Sequence, residues 1–447
     1  MKLTTIAKLA LAITAIIACF LDQFNPFVLA GLLLGIACIN LDHPLMLKNF
    51  FIVLTVLLFA VSGSYYFPNN QDLAVDMNLY LISFLLGYGV YKIMPKKDKI
   101  HGTEFFIRKS IKINVNLLRK GLIFLCLTKL MILAWDIMQY GLFEYYVGQA
   151  MVDNISSYGK KDTAKGISII ISSIISAITI STTALYVFSC HLKNLKVDFK
   201  VLTILLLILP LISLQRSAFA VGAMLLIAAF SFDPANRSKV YRVLTISFVS
   251  ILFVGVAIGG VRENSLKKDD AALISVERIQ TMIAGELSPI VAYKEIKDNI
   301  EILEYQLGKT ILPPLIYKPI PRNFLPDKPL NSSGYYGEQL KPQDSANGFF
   351  LAPSIYGDMF LNFGIAGTML FTAAFGVFAA RMDHIYLFME TKYIPIFLIV
   401  YYNFYSIMRN NSVESITSIL ISMFCLTGIV ITLSSVKQLV AQEWKNN

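Results

Sequence analysis

The sequence predicts an all-α polytopic membrane protein of about twelve transmembrane helices, with one large, partly helical periplasmic loop. Three observations predict it. Hydrophobic residues fill 56% of the 447 positions, above the roughly 45–50% of soluble globular domains. They gather in repeated apolar runs of roughly 20 residues, long enough to cross a ~30 Å hydrocarbon core. Basic residues concentrate in the short connections between runs, as the positive-inside bias of membrane proteins requires. Short segments of strict alternation, the mark of a transmembrane β-barrel, are absent.

The first run, residues 4–20, follows Lys2 and has the look of a signal peptide. No small-residue cleavage pattern follows it and the second run, 24–40, begins almost at once, so it reads as a retained span. The third run covers 50–66 and the fourth 78–95. Eight Lys and Arg residues then place 96–120 on the cytoplasmic side. Within that stretch TEFFIRKSIKINVNLLRK reads as an amphipathic segment on the inner leaflet. The fifth run, 121–140, leads to an outer polar loop, 141–165, and the sixth is 166–190. The seventh, 201–214, is short and ends at Gln215-Arg216, and the eighth, 217–232, follows directly. That pair also reads as one broken helix. The ninth, 243–261, delivers the chain outside; the tenth (359–380), eleventh (393–408) and twelfth (413–434) complete the set. The domains are then 1–261, with spans one to nine; 262–358, the large loop; and 359–447, with spans ten to twelve and a short cytoplasmic tail. With both termini inside, every short basic loop falls on one side.

The large loop far exceeds the ~2–8 residues that connect helices. It is rich in Ile, Leu, Tyr and Phe, which argues for order. Its charges nearly cancel, with eleven Lys/Arg against twelve Asp/Glu across 262–350. Leu273, Val276, Ile279 and Ile283 recur at helical spacing. Ser288-Pro289 then has the form of an N-cap with proline at the first helical position. Behind it Ile290, Tyr293, Ile296, Ile300 and Leu303 form a second stripe. The prolines at 313, 314, 319, 321, 326 and 329 predict a stiff, extended middle with no regular helix.

The net charge of +10 raises nucleic acid as a partner, but the basic residues sit where topology puts them, so none is expected. The five cysteines lie in or beside apolar runs, and no disulfide framework is indicated for the loop. All four histidines (His43, His101, His191, His384) fall on the cytoplasmic side of this topology. That removes a His-based metal site or His general base from the outer face. Walker A, GxGxxG, HExxH, GxSxG and Cys-rich metal patterns are missing, so neither a cofactor nor a metal is expected.

The outer face offers arginines, tyrosines and carboxylates. Arg216 sits between two short apolar runs, where a charge is costly and a functional role is the default; its plain alternative is a snorkelling anchor. Arg262 opens the loop, Arg322 lies in the proline stretch and Arg409 opens the last outer turn. Arginine forks match phosphate oxygens bidentately. Glu286 and Asp358 are the candidate catalytic carboxylates. Asp358 lies where the loop rejoins the membrane, four residues before Asn362, so the two share a helical face. It suits a general base toward a sugar hydroxyl, or simply a helix N-terminal cap. Tyr336, Glu338 and Asn362 join the arginines as candidate substrate-binding residues. Lys129, inside the fifth run with Asp136 seven residues on, reads as a buried packing pair or as a substrate contact.

LISLQRSAFAVGA, GELSP, PIPRNFLPDKPLN and APSIYGDMFLNFGIAG, taken in that order within this layout, give the chain a resemblance to the Wzy-type O-antigen and surface-polysaccharide polymerases. The resemblance implies a metal-independent glycosyltransferase of the bacterial inner membrane. Such an enzyme joins undecaprenyl-diphosphate-linked oligosaccharide repeat units at the periplasmic face. It further implies membrane lipid and a chain-length regulator membrane protein as partners. Related O-antigen ligases are similar too, including the Gly364-x-x-Gly367 pair, but they place a His before that pair; here Leu351-Ala352-Pro353-Ser354 has none. A lipid-linked oligosaccharide flippase or transporter is the alternative from another class, and a non-catalytic membrane scaffold a third reading.

Overall fold

The computed structural model describes residues 26–40, 43, 45–56, 66–67, 70–93, 114–140, 163–213, 216–232, 289–318, 320, 325, 327–346, 352–388 and 393–446. Among them the regular elements are all helical. Four helical stretches are long and apolar enough to cross a membrane: Gln71–Ile93, Ile174–Leu192, Ser354–Leu387 and Ser412–Leu433. Shorter apolar helices accompany them. The chain is a helical membrane protein. The first and ninth runs and the stripe at 273–283 lie outside the described residues.

In chain order the helices are α1 (Pro26–Cys38), α2 (Leu47–Val56), α3 (Gln71–Ile93), α4 (Val115–Tyr140), α5 (Thr163–Leu192), α6 (Phe199–Ile212) and α7 (Arg216–Ser231). In the large loop follow α8 (Pro289–Asp298), α9 (Ile300–Leu303), α10 (Leu312–Tyr317), α11 (Ser332–Leu340) and α12 (Pro342–Ala346). The chain ends with α13 (Ser354–Leu387), α14 (Ile394–Arg409) and α15 (Ser412–Asn446).

Several boundaries differ from expectation, each for a local reason. The sequence puts Val115–Lys120 in a surface segment, whereas the structure makes them the start of α4. Asn114 Oδ1 accepts the Asn116 N–H at 3.0 Å, capping the helix there. The seventh run is α-helical, then π-helical over Ile204–Ile208, then α-helical again, and the eighth is a separate helix. Pro210 has no N–H for the Leu206 carbonyl, and the Leu209 N–H bonds back to Ile204 O in a five-residue step. The proline stretch is not wholly extended. Pro313 and Pro314 open α10, in the first turn where helical N–H groups have no partner to lose.

The chain divides into two compact units. The first comprises Met1–Pro95, Val276–Leu387 and Ser406–Ile416, and the second Lys96–Ser275, Phe388–Tyr405 and Thr417–Asn447. In the first unit α3 and α13 pack backbone to backbone. A β-carbon at Gly87 would stand 1.8 Å from Ala373 O, and one at Gly376 2.1 Å from Phe84 O. Small residues at such crossings are what let membrane helices approach closely. Phe51 stacks on Phe84 with centroids 3.7 Å apart. Buried Asp383 accepts from the Lys48 N–H at 3.2 Å, the Leu47 N–H at 2.5 Å and the Tyr88 hydroxyl at 3.0 Å, so it caps α2.

The amphipathic stripe of the loop also packs in the first unit: Ile290, Tyr293, Ile296 and Leu303 are all buried. Tyr293 donates to Asp76 on α3 at 2.6 Å and accepts from Tyr80 at 2.8 Å. Lys297 reaches the same Asp76 oxygen at 2.5 Å. Burial pushes the Tyr293 phenol well up, which keeps it a donor to that carboxylate. These bonds tie α8 to a membrane helix.

Candidate functional site

The site is built on the first two and a half turns of α13. Ser354 enters the helix at φ +61°, and ten residues later Gly364 interrupts it at φ +67°, ψ −168°. Only glycine adopts that backbone without strain. The break releases helix carbonyls that must find other donors. A strap from the loop supplies them: the Gln306 N–H donates to Leu361 O and the Leu307 N–H to Asn362 O, each at 3.0 Å. The Gly364 carbonyl takes the Thr368 hydroxyl at 2.8 Å. The strap bends through Glu304 (φ +54°) and Leu307 (φ +48°), non-glycine residues in the left-handed region. Such strain is held only where surrounding structure over-determines it, and it gathers at functional sites.

Asn362 completes the strap. Its Oδ1 accepts from the Gly308 N–H and the Thr310 hydroxyl, each at 3.0 Å. Its Nδ2 donates to the Asp358 carbonyl at 2.8 Å and faces Asp358 Oδ1 at 3.4 Å. The expected shared face of Asp358 and Asn362 is therefore present. Both side chains are fully buried.

Asp358 joins two helix N-termini. One carboxylate oxygen accepts from the Ser332 hydroxyl at the start of α11. The other accepts from the Ser412 N–H at 2.8 Å and from the Ser412 hydroxyl at the start of α15. Each helix start is organised by an asparagine before it. Asn331 Oδ1 accepts the Gly334 N–H and Asn411 Oδ1 the Glu414 N–H, both at 2.9 Å. Asn411 also donates to the Ser333 hydroxyl at 3.3 Å. Helix N-termini carry partial positive charge, so an anion between two of them is favourably placed.

Tyr336 is buried and donates to Glu295 on α8, which Lys341 also reaches at 2.9 Å. Glu338 lies on the outer side of α11, exposed. Arg409 ends α14, three residues before Ser412, and is half-buried. Lys318 stands 3.9 Å from Glu414; burial pushes its ammonium down, and Glu414 opposes that. The fold thus gathers Asp358, Asn362 and Tyr336 in one folded unit, with Arg409 on the turn beside Ser412. Arg216 begins α7. Arg262, Glu286 and Arg322 lie outside the described residues, as does the side chain of Arg216.

Ser332, Ser412, Thr310 and Glu295 were not singled out from the sequence. For the two serines a signal existed. Asn331-Ser332 and Asn411-Ser412 both read as helix starts. Nothing in the sequence says that the two starts converge on one carboxylate. Among the described residues no group of three or more His, Cys, Asp or Glu is placed to hold a metal.

Over 64 residues, 14% of this chain and 76% of the relative, the sequence is 36% identical to "Uncharacterized protein YosU" of Bacillus subtilis (strain 168). No protein-family model matches the chain. No solved structure matches it.

Proposed function

The chain belongs to one family with YosU of Bacillus subtilis, whose name carries no activity, and we propose from its own residues that it is a surface-polysaccharide polymerase. Its substrate is an oligosaccharide repeat unit on undecaprenyl diphosphate, and its setting is the outer face of the bacterial cytoplasmic membrane. This reading takes twelve spans, both termini in the cytoplasm and the 262–358 loop in the periplasm. The observation that carries it is the buried Asp358, held between the starts of α11 and α15 where the loop meets an apolar helix. A carboxylate there lies at the boundary where a lipid-borne sugar would be presented.

The chemistry is a displacement at the anomeric carbon of the growing chain. The bond from that carbon to the diphosphate oxygen breaks, and a bond to the acceptor hydroxyl oxygen forms. The acceptor proton goes to a carboxylate, and the diphosphate leaves on its polyprenol. Asp358 takes that proton once substrate binding draws a serine hydroxyl away from it; while both serines are bonded its oxygens are occupied. Arg216, Arg262, Arg322 and Arg409 are assigned to the leaving diphosphate, whose charge grows as the bond breaks. Glu286 is the second candidate base, and Glu338 and Asn362 border the sugar.

A lipid-linked oligosaccharide transporter is the second reading. It is favoured by the helix broken at Gly364 and by the π-helical segment of α6, because discontinuous helices mark transport sites. The surface-glycan profile of a strain lacking this chain separates the two. Single repeat units attached at the surface support the polymerase. Complete loss of surface repeat units refutes it in favour of transport or ligation.

A further inference from the structure

The second unit holds a cavity of about 120 Å³. Its walls come from α4, α5, α6, α7 and α14, and they are largely Leu and Ile. The polar side chains of Lys129 and Tyr402 line it as well. Lys129 is on the packed face of α4, in register with the buried Leu122, Cys126 and Leu133. It lies nine residues beyond Lys120, about 13 Å along the helix, within an apolar run. A cation at that depth is costly and is retained where it meets an anion. Asp136, seven residues on, starts about 10 Å further along the axis.

Two other hydroxyls of the cavity are already committed. Thr179 donates to Ile175 O at 2.7 Å and Ser213 to Leu209 O at 3.0 Å. They remain acceptors, and Lys129 and Tyr402 add donors beside the Ser176 hydroxyl. One wall is the π-helical segment, with Leu205 and Leu206 lining the cavity; such bulges concentrate at functional sites. Gly222, which also lines the cavity, lets α7 approach that segment so closely that a β-carbon there would stand 2.0 Å from Leu206 O. Ile132 lines the cavity and is also exposed on α4, beside the outward-facing Met131 and Trp135.

We propose that this cavity binds the phosphate of an anionic lipid, with Lys129 as the cation, Tyr402 as the second donor and the acyl chains leaving past Ile132. A lipid is the source because the cation lies inside an apolar run and the cavity borders an exposed apolar helix face. The site is independent of the Asp358 site and of the polymerase reading.

The test uses the purified full chain in a zwitterionic detergent, with phosphatidylglycerol as the probe and native mass spectrometry as the readout. Lys129→Met is expected to lower phosphatidylglycerol retention by roughly 10–100-fold, the range of a charge-assisted hydrogen bond. Lys129→Arg keeps most of it, and Tyr402→Phe loses roughly 2–10-fold. Inorganic phosphate at millimolar concentration is expected not to displace the lipid. Equal retention by wild type and Lys129→Met, with matching melting temperatures, overturns the site. Displacement by inorganic phosphate alone overturns the lipid assignment. Neither failure touches the polymerase reading, which the glycan profile tests.

Discussion

Both oxygens of Asp358 are occupied by serines at the starts of two helices, so this one side chain joins architecture to the proposed chemistry. Its two roles separate by substitution. Asp358→Asn keeps the shape but replaces one acceptor oxygen with a donor. It is expected to cost about 1–3 kcal/mol of stability, read by thermal melting. In polymerisation of lipid-linked repeat units by the purified protein it is expected to lower turnover by about 10²–10⁴. A wild-type rate in protein with a lowered Tm would leave Asp358 as a clamp alone. Lys318 carries a different signature. Burial pushes its pKa below the ordinary 10.5, with Glu414 opposing. A depressed lysine pKa means that the unfolded chain binds the proton more tightly. Stability is therefore lower at neutral pH and rises as pH climbs toward the ordinary value. Lys318→Met is expected to raise Tm at pH 7, and the difference from wild type to shrink as pH approaches 10.5. A gap independent of pH would assign the effect to packing.

At the scale of elements, the interruption of α13 and the strap that answers it form one device. The break at Gly364 frees two carbonyls, and Gln306 and Leu307 bond them. Gly364→Ala puts a β-carbon at φ +67° and 3.3 Å from the Tyr305 ring. It is expected to cost about 1–3 kcal/mol and to loosen the strap. Faster hydrogen exchange at the Leu307 and Gly308 amides, with α3 unchanged, would show that the loss is local. If the melting temperature and those amides stay as in wild type, the helix does not depend on the break. The tyrosine–aspartate contacts of α8 act alongside it, because they fasten α8 to α3 independently of the strap.

For the whole molecule, orientation decides whether the site faces the substrate side. Reporter fusions at Ser333 and Asn447 are expected to read periplasm and cytoplasm respectively, since the basic short loops share one side. A cytoplasmic reading at Ser333 removes the proposed function altogether. The expected orientation puts His43, His101, His191 and His384 on the cytoplasmic side, opposite the proposed reaction. Replacing all four together is expected to leave polymerisation by the purified protein within about a factor of ten. Loss of turnover in a correctly inserted quadruple variant would bring histidine chemistry back.

The helical membrane class was legible in the sequence because it depends on runs of apolar residues, and a run is a property of neighbours along the chain. The stripe of Ile290, Tyr293, Ile296 and Leu303 was legible for the same reason, since helical spacing marks one face. So was the pairing of Asp358 with Asn362, one turn apart. Tertiary structure decided what lies far apart in the chain. Ser332, Asp358 and Ser412 meet only once two helix starts converge, and no local pattern encodes a convergence. The helical use of Pro313 and Pro314 was likewise undecided locally, because proline breaks a helix interior but opens a first turn. Gly364 is the sharpest case. As a residue it allows many conformations, and only the donors of the strap, more than fifty positions earlier, select the one that interrupts the helix.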